Sequence, residues 1–127
     1  MGEGRSAPMS APERAVLRNI TRDTVLATDV RFALKRRERT RGLLGRDSME
    51  PGEALAFPRC RQVHMFGMKF AIDVLFLDKA NRVVHLEPDL QPGRLSPWVR
   101  RARTVFELPA GTLERSRTGP GDSIAID

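Results

Sequence analysis

Residues 70–77, with the sequence FAIDVLFL, constrain the fold of this chain more than any other stretch. In an extended strand, successive side chains point to opposite faces, and both faces of this stretch are almost entirely apolar. A strand of this kind needs cover on both sides, so we expect it in the interior of a sheet. Its single charged residue, Asp73, is therefore expected close to the hydrophobic core.

Other β-branched and apolar runs along the chain predict further strands. These strands begin near Thr24, Ala54, Val83 and Thr104, and a last one closes the chain. Pro88 is expected to end the strand that begins at Val83, because proline cannot donate to a sheet ladder. Residues 78–82, DKANR, predict a hairpin connection with Asn81 in the left-handed conformation.

The spacing of these strands predicts a mainly β fold, a single-domain β-sandwich or barrel-like domain with one short helix. We place that helix at about residues 36–45, where Gly45 provides a stop. Residues 1–22 are expected to form a flexible or partly ordered tail, with at most a helical turn at residues 12–19. The β-rich domain is then expected to span residues 23–127.

The sequence also bears on the cellular compartment in which the protein is expected. The single cysteine, Cys60, excludes an internal disulfide, so folding does not require an oxidising compartment. No apolar run approaches the roughly 18 residues that span a bilayer, and the first 22 residues lack the apolar centre of a secretion signal. We therefore expect a cytoplasmic protein without a membrane span, unless an export signal has been removed from its start.

The formal net charge of +6 comes from two clusters of basic residues. The clusters are Lys35, Arg36, Arg37, Arg39 and Arg41, and Arg100, Arg101 and Arg103. Arginine forks match phosphate oxygens, so weak binding of nucleic acid is one interpretation, and solvated surface charge is the other. Neither cluster contains an aromatic side chain for base stacking, which favours the second interpretation.

Four motifs in this order resemble a known family. They are RGLLGRDSMEPGEALAF, HMFGMKFAIDVLFLD, VFELPAG and a GD pair near the end. Together they resemble the family known as domain of unknown function 192, over about residues 24–126. The resemblance implies a small, β-rich, sandwich-like domain, and it implies no activity, substrate or cofactor. Relatives often have proline where this chain has Ala71, and many carry an export signal.

Asp73 is the leading candidate for a catalytic group, because a buried carboxylate must be hydrogen-bonded, ion-paired or protonated. One hypothesis makes it a catalytic acid or a ligand anchor, with Glu107 or His64 assisting. If Asp73 and Glu107 faced each other, they could form an acid–base pair. The alternative, which we favour, is a structural carboxylate that accepts backbone N–H bonds from a neighbouring loop or pairs with an arginine.

Metal and thiol chemistry receive less support. The side chains that could bind a soft metal are His64, Met65, Met68, His85, Met49 and Cys60. Their spacing matches no compact metal site, so we predict neither a metal nor another cofactor. Cys60 lies between two arginines that favour a thiolate, and His64 is the nearest base for a nucleophile of this kind.

The function favoured by the sequence is a non-catalytic binding module that engages a small, possibly anionic ligand or a protein partner through its loops. The residues expected at this ligand site are His64, Trp98, Arg100, Arg101 and Arg103. Trp98 follows a Ser-Pro pair in a predicted loop, where it could plug one end of the fold or form a ligand platform. An enzyme centred on Asp73 and a weak nucleic-acid binder are the alternatives.

Overall fold

A computed structural model of the protein describes residues 15–33 and 43–127. These residues contain seven strands and one short helix. In chain order they are β1 (Ala15–Asn19), β2 (Thr24–Phe32), β3 (Glu53–Pro58), β4 (Ile72–Leu77), β5 (Val83–Leu90), β6 (Thr104–Pro109), α1 (Thr112–Arg115) and β7 (Ile124–Ile126). The strands form one sheet in the order β5-β4-β6-β3-β2-β1-β7. The β2–β3 pair is parallel, and the other neighbours are antiparallel.

The sheet curls so that its two outer strands approach each other at one end. Arg82 and Ser123 form an isolated bridge, and Val83 N–H donates to the carbonyl of Asp122 at 2.9 Å. Ile124 N–H donates to the carbonyl of Asn81, also at 2.9 Å. Contacts between the edges protect strands that would otherwise be unpaired. The result is a half-barrel, which confirms the predicted mainly β, barrel-like fold.

Strand β4 confirms the interior strand predicted from residues 70–77, although it begins two residues later, at Ile72. It lies between β5 and β6, and all six of its residues are buried. Leu75 and Leu77 face a core cluster to which all seven strands contribute, inside the curl. Val74 and Phe76 face a second cluster, which the loop residues Val63 and Met65 cover on the outside.

Pro88 does not end β5, contrary to the sequence prediction. The strand continues to Leu90 through a bulge: Leu90 pairs with Ile72, but Glu87 pairs with Val74. Proline is tolerated here because β5 is an outer strand, and its missing N–H falls within the bulge.

The predicted hairpin connecting β4 and β5 is confirmed. Asn81 adopts a φ of 60°, and its N–H donates to the carbonyl of Asp78 at 3.0 Å. The Asp78 carboxylate accepts the backbone N–H groups of Ala80 and Arg82 at 2.9 and 3.0 Å. This side chain therefore fixes the turn locally, as expected of an aspartate at its start.

Two other local predictions need correction. The helical turn allowed at residues 12–19 is wrong for its described part, because residues 15–19 form β1, whose Leu17 is fully buried. Of the helix predicted at residues 36–45, residues 36–42 lie outside the described residues, and residues 43–45 form a bend and a turn. The helix found among the described residues is α1, a single turn after β6.

Candidate functional site

The Asp73 side chain connects three segments of the backbone. One carboxylate oxygen, Oδ1, accepts the N–H of Asp89 in the β5 bulge at 2.9 Å. The other oxygen accepts the N–H groups of Gly111 at 3.1 Å and Leu113 at 2.9 Å, at the start of α1. Asp73 is only 1% exposed, so its carboxylate faces protein rather than solvent. This geometry is the one that the structural alternative predicts, since buried carboxylates require hydrogen-bond donors.

Glu107 does not meet Asp73. Glu107 on β6 pairs with Val74 on β4, whereas Asp73 pairs with Leu108. Cross-strand partners share a face of the sheet and successive residues alternate, so the two carboxylates point to opposite faces. The structure therefore does not bring together the acid–base pair considered from the sequence. Glu107 instead contributes to a cleft on the outer face, together with His64.

This cleft, which we call the His64 cleft, has a volume of about 290 Å³. Its apolar walls are formed by Leu43, Leu44, Phe57, Val63, Phe66 and Met68. Its remaining lining comes from Cys60, Gln62, His64 and Glu107. The cleft thus combines an apolar interior with a few polar groups, which is the usual composition of small-molecule sites.

The loop that carries His64 is held by a second, irregular ladder. Met65 N–H donates to the carbonyl of Arg94, and Ser96 N–H to the carbonyl of Val63, both at 2.8 Å. The Ser96 hydroxyl accepts the N–H of Val63 at 2.9 Å. Val63 and Met65 are buried in the second core cluster, so the intervening His64 faces outward. The apolar pattern of this segment therefore sets the orientation of the histidine.

An exposed aromatic pair borders the His64 cleft. The rings of His64 and Phe66 stack with centroids 5.0 Å apart and an interplanar angle of 24°. Phe66 is 56% exposed. Gly67 follows with a φ of 82°, so the chain turns sharply after the pair and brings Met68 back to the cleft wall.

Of the candidate metal ligands, Cys60 and Met68 line the same cleft as His64, whereas His85 lies on β5. Cys60 is 4% exposed, and its thiol donates to the carbonyl of Gln62 at 3.3 Å. His85 pairs with Glu87 on β5, with 2.6 Å between Nε2 and Oε2. In residues 15–33 and 43–127, no three His, Cys, Asp or Glu side chains are arranged to hold a metal ion.

A second cleft lies where the outer strands meet, and we call it the arginine cleft. It has a volume of about 700 Å³ and is lined by Asp78, Arg82, Val83, Val84, Val99, Arg100, Arg101 and Gly121. The backbone N–H groups of Arg82 and Ala80, together with the positive charges of Arg101 and Arg82, lower the pKa of Asp78 below its usual range. The positive charge of this cleft therefore acts on the one carboxylate that lines it.

The structure divides the predicted ligand residues between the two clefts. His64 lines one, and Arg100 and Arg101 line the other. Trp98 lies in the loop between β5 and β6. It is 64% exposed, so it is not the hydrophobic plug that the sequence allowed. Arg103 is exposed as well. The first basic cluster, Lys35, Arg36, Arg37, Arg39 and Arg41, lies outside the described residues.

Sequence reasoning missed several lining residues. Gln62 and Phe66 line the His64 cleft, and both flank the histidine that the sequence had singled out. Their position beside it in a loop was the available signal. Arg82 was assigned only to a hairpin turn. The loop before β6, whose Arg103 N–H donates to the carbonyl of Leu77, brings Arg100 and Arg101 to the same cleft. No local pattern predicts that approach.

Comparisons with known proteins agree with this architecture. A crystal structure of a protein of unknown function from Novosphingobium aromaticivorans DSM 12444 has a TM-score of 0.75 and 19% identity, over 98% of this chain and 99% of that one. Another crystal structure, of a Sinorhizobium meliloti 1021 protein provisionally described as a transcription regulator, has a TM-score of 0.71 and 23% identity, over 89% and 92% of the two chains. Both show the same fold.

The chain has no match among curated proteins. Within the described residues, the structure contains no helix with the length and apolar surface needed to cross a membrane. A model of the family described as "Uncharacterized ACR", domain of unknown function 192, matches residues 18–126. This match confirms the family that the four motifs suggested: the chain belongs to the domain of unknown function 192 family.

Proposed function

We propose that this protein is a non-catalytic binding module whose His64 cleft holds a small organic ligand with a large apolar part. The observation that carries the proposal is the composition of the cleft. Its volume of about 290 Å³ is lined by six apolar side chains and by the polar groups of Gln62, His64 and Glu107. Pockets of this kind bind by burying apolar surface, and a few polar groups fix the orientation of the ligand.

The walls of the cleft are held in place before any ligand enters. Glu107 lies on β6, which pairs with β3 through Leu55 and with β4 through Val74. The Gln62 side-chain amide, which also lines the cleft, donates to the carbonyl of Ser96 at 3.0 Å. A preformed site spends less of its binding free energy on ordering side chains and loops. This rigidity supports a binding role.

The lining also indicates the chemistry of the ligand. Phe57, Phe66 and Met68 offer aromatic and thioether surface, which suits a flat or aromatic body. Glu107 adds a half-buried carboxylate, and a carboxylate accepts hydrogen bonds when it is ionised. A ligand that carries a hydroxyl, an amide or an amine on an aromatic body therefore fits this cleft best.

The rival hypothesis, an enzyme centred on Asp73, receives less support. The Asp73 oxygens accept three backbone N–H bonds and are closed off from solvent. The two proposed assistants, Glu107 and His64, line a cleft on the other face of the sheet. Catalysis at Asp73 would require opening of the α1 and β5 contacts before substrate could reach it.

Native mass spectrometry of the freshly purified protein, followed by a fragment screen and calorimetric titration of the best fragment, tests the proposal. Phe66→Ala removes cleft surface, and Trp98→Ala removes a similarly exposed aromatic ring that does not line the cleft. We expect Phe66→Ala to weaken binding by about tenfold, as for a contact aromatic, and Trp98→Ala to leave it unchanged. Equal effects of both substitutions, or no fragment binding, would overturn the proposal.

A further inference from the structure

Three arginines in the arginine cleft lack an ion-pair partner within the described residues. Arg82 comes from the β4–β5 hairpin, and Arg100 and Arg101 come from the loop before β6. The ion pairs formed among residues 15–33 and 43–127 use other side chains. The single carboxylate of the cleft, Asp78, accepts backbone N–H groups within its own turn. The cleft thus carries three positive charges against one negative charge.

Backbone contacts fix the positions of these arginines, although they lie in turns. Arg103 N–H donates to the carbonyl of Leu77 at 2.7 Å, and Ala102 N–H donates to the carbonyl of Val99 at 3.0 Å. Ala102 is fully buried in the second core cluster and anchors the loop there. On the facing side, Gly121 N–H donates to the carbonyl of Val83 at 2.8 Å. The segments that present the charges are therefore part of the folded scaffold.

The cleft is not purely polar. Val84 and Val99 are half-buried and line it beside the arginines, whereas Val83 is buried in the inner core cluster. Holding like charges on neighbouring fixed segments is unfavourable, and a bound anion relieves the repulsion. Guanidinium groups donate paired hydrogen bonds to phosphate and carboxylate oxygens, while Val84 and Val99 offer apolar contact to the carbon part of a ligand.

We propose that the arginine cleft binds the phosphate or carboxylate group of a small organic anion, with the organic part against Val84 and Val99. The site shares no lining residue with the His64 cleft, so it is independent of the function proposed above. A small ligand is favoured over a nucleic-acid strand because the three arginines line a single concavity. A nucleic-acid backbone is bound along a longer basic track.

Titration of the isotope-labelled protein with inorganic phosphate, phenyl phosphate and benzoate at low ionic strength tests this site. We expect amide shifts at residues 82–84, 99–101 and 121, with phenyl phosphate binding more tightly than inorganic phosphate because of its ring. Tighter binding of benzoate than of phenyl phosphate would identify a carboxylate site, and the reverse order a phosphate site. Binding of inorganic phosphate and phenyl phosphate with equal affinity would overturn the assignment to an organic anion.

A pair of matched double variants supplies the control. Arg100→Gln with Arg101→Gln should weaken binding of phenyl phosphate by about tenfold or more, as for lost hydrogen bonds between charged groups. Arg115→Gln with Arg117→Gln removes the same charge from exposed positions that do not line the cleft and should leave the affinity within about twofold, since an exposed charge without direct contact contributes little. Thermal unfolding of both variants verifies folding. Equal losses in the two variants, no binding of any of the three anions, or tighter binding of an oligonucleotide at these residues would each refute the proposal.

Discussion

Asp73 and Asp89 lie across β4 and β5 from each other, and the carboxylate of Asp73 accepts the backbone N–H of Asp89 at 2.9 Å. Asp89 has a φ of 53° and lies directly after Pro88, where the register of the two strands shifts. The buried carboxylate therefore satisfies an N–H group that the bulge removes from the regular ladder. The same side chain fixes the start of α1 through Leu113.

We expect Asp73→Asn to destabilise the fold strongly. The amide replaces one acceptor oxygen with a donor that faces the N–H groups of Gly111 and Leu113 or that of Asp89. A buried unsatisfied group costs about 1–3 kcal/mol, so the free energy of unfolding should fall by about 2–4 kcal/mol. Urea unfolding measures this loss. The control is Asp89→Asn, which keeps the backbone N–H and should change stability by less than about 0.5 kcal/mol.

The lowered pKa of Asp122 predicts how the stability of the fold changes with pH. Burial raises the pKa of Asp122, but hydrogen bonds from the Asn19 amide and the Gly119 N–H, together with Arg22, outweigh burial and lower it below the usual value. A carboxyl group with a lowered pKa stabilises the fold above its unfolded pKa of about 4, and this contribution is lost as the pH falls through the folded pKa.

Urea midpoints measured between pH 6 and the acid limit of folding, for the wild type and Asp122→Asn, test this dependence. The variant should be less stable at pH 6, and its stability should fall less steeply below about pH 4 because the titrating group is absent. The control is Asp47→Asn, which removes a carboxylate that is 91% exposed. The stability of this variant should fall with pH as steeply as that of the wild type. If stability fell equally steeply with pH in the wild type and in Asp122→Asn, Asp122 would not be the cause of the acid destabilisation.

Gly67 and Gly121 form a matched pair for testing the wall of the His64 cleft. Their φ values are 82° and 85°, so alanine should cost each position about 1 kcal/mol in backbone strain. A Cβ at Gly67 lies 3.2 Å from Leu44 Cδ2, which lines the cleft, whereas nothing lies within 4 Å of one at Gly121, whose N–H donates to Val83 on β5. Only Gly67→Ala should therefore shift the cleft amides in an NMR spectrum. Equal spectral changes at the cleft in both variants would contradict this structure of the wall.

The Cys60 thiol should report on occupancy of the His64 cleft. It is 4% exposed and donates to the Gln62 carbonyl, so a thiol reagent should react slowly with the native protein and rapidly in urea. A ligand in the cleft should slow the native reaction further, because Cys60 lines the same space. A ligand that binds without changing the rate would have to lie elsewhere.

Some elements could be predicted from the sequence because their signals are local. Residues 72–77 are apolar on both faces, and the 78–82 turn carries its own aspartate and a left-handed asparagine. Strand β1 gave no such signal. It forms because β1 pairs on one side with β2, the next strand in the chain, and on the other side with β7, the last strand, which buries Leu17.

The bulge and the helix could not be predicted for a different reason. Pro88 ordinarily ends a strand, and residues 112–115 are too few for a helical period to be recognised. Both are held by hydrogen bonds to Asp73. Asp73 lies far from them in the sequence, so no local pattern predicts either element. The clefts likewise require the folded sheet, since Glu107 meets His64 and Arg82 meets Arg100 only in three dimensions.

The central claim is that the protein binds its ligand in the His64 cleft, while the Asp73 carboxylate only stabilises the fold. An NMR map of the residues that respond to the best ligand of the fragment screen tests this claim most directly. The account predicts amide shifts centred on residues 60–68 and on Glu107, with Asp73, Asp89 and residues 111–113 unaffected. Shifts centred on Asp73 and its three hydrogen-bond donors would contradict it.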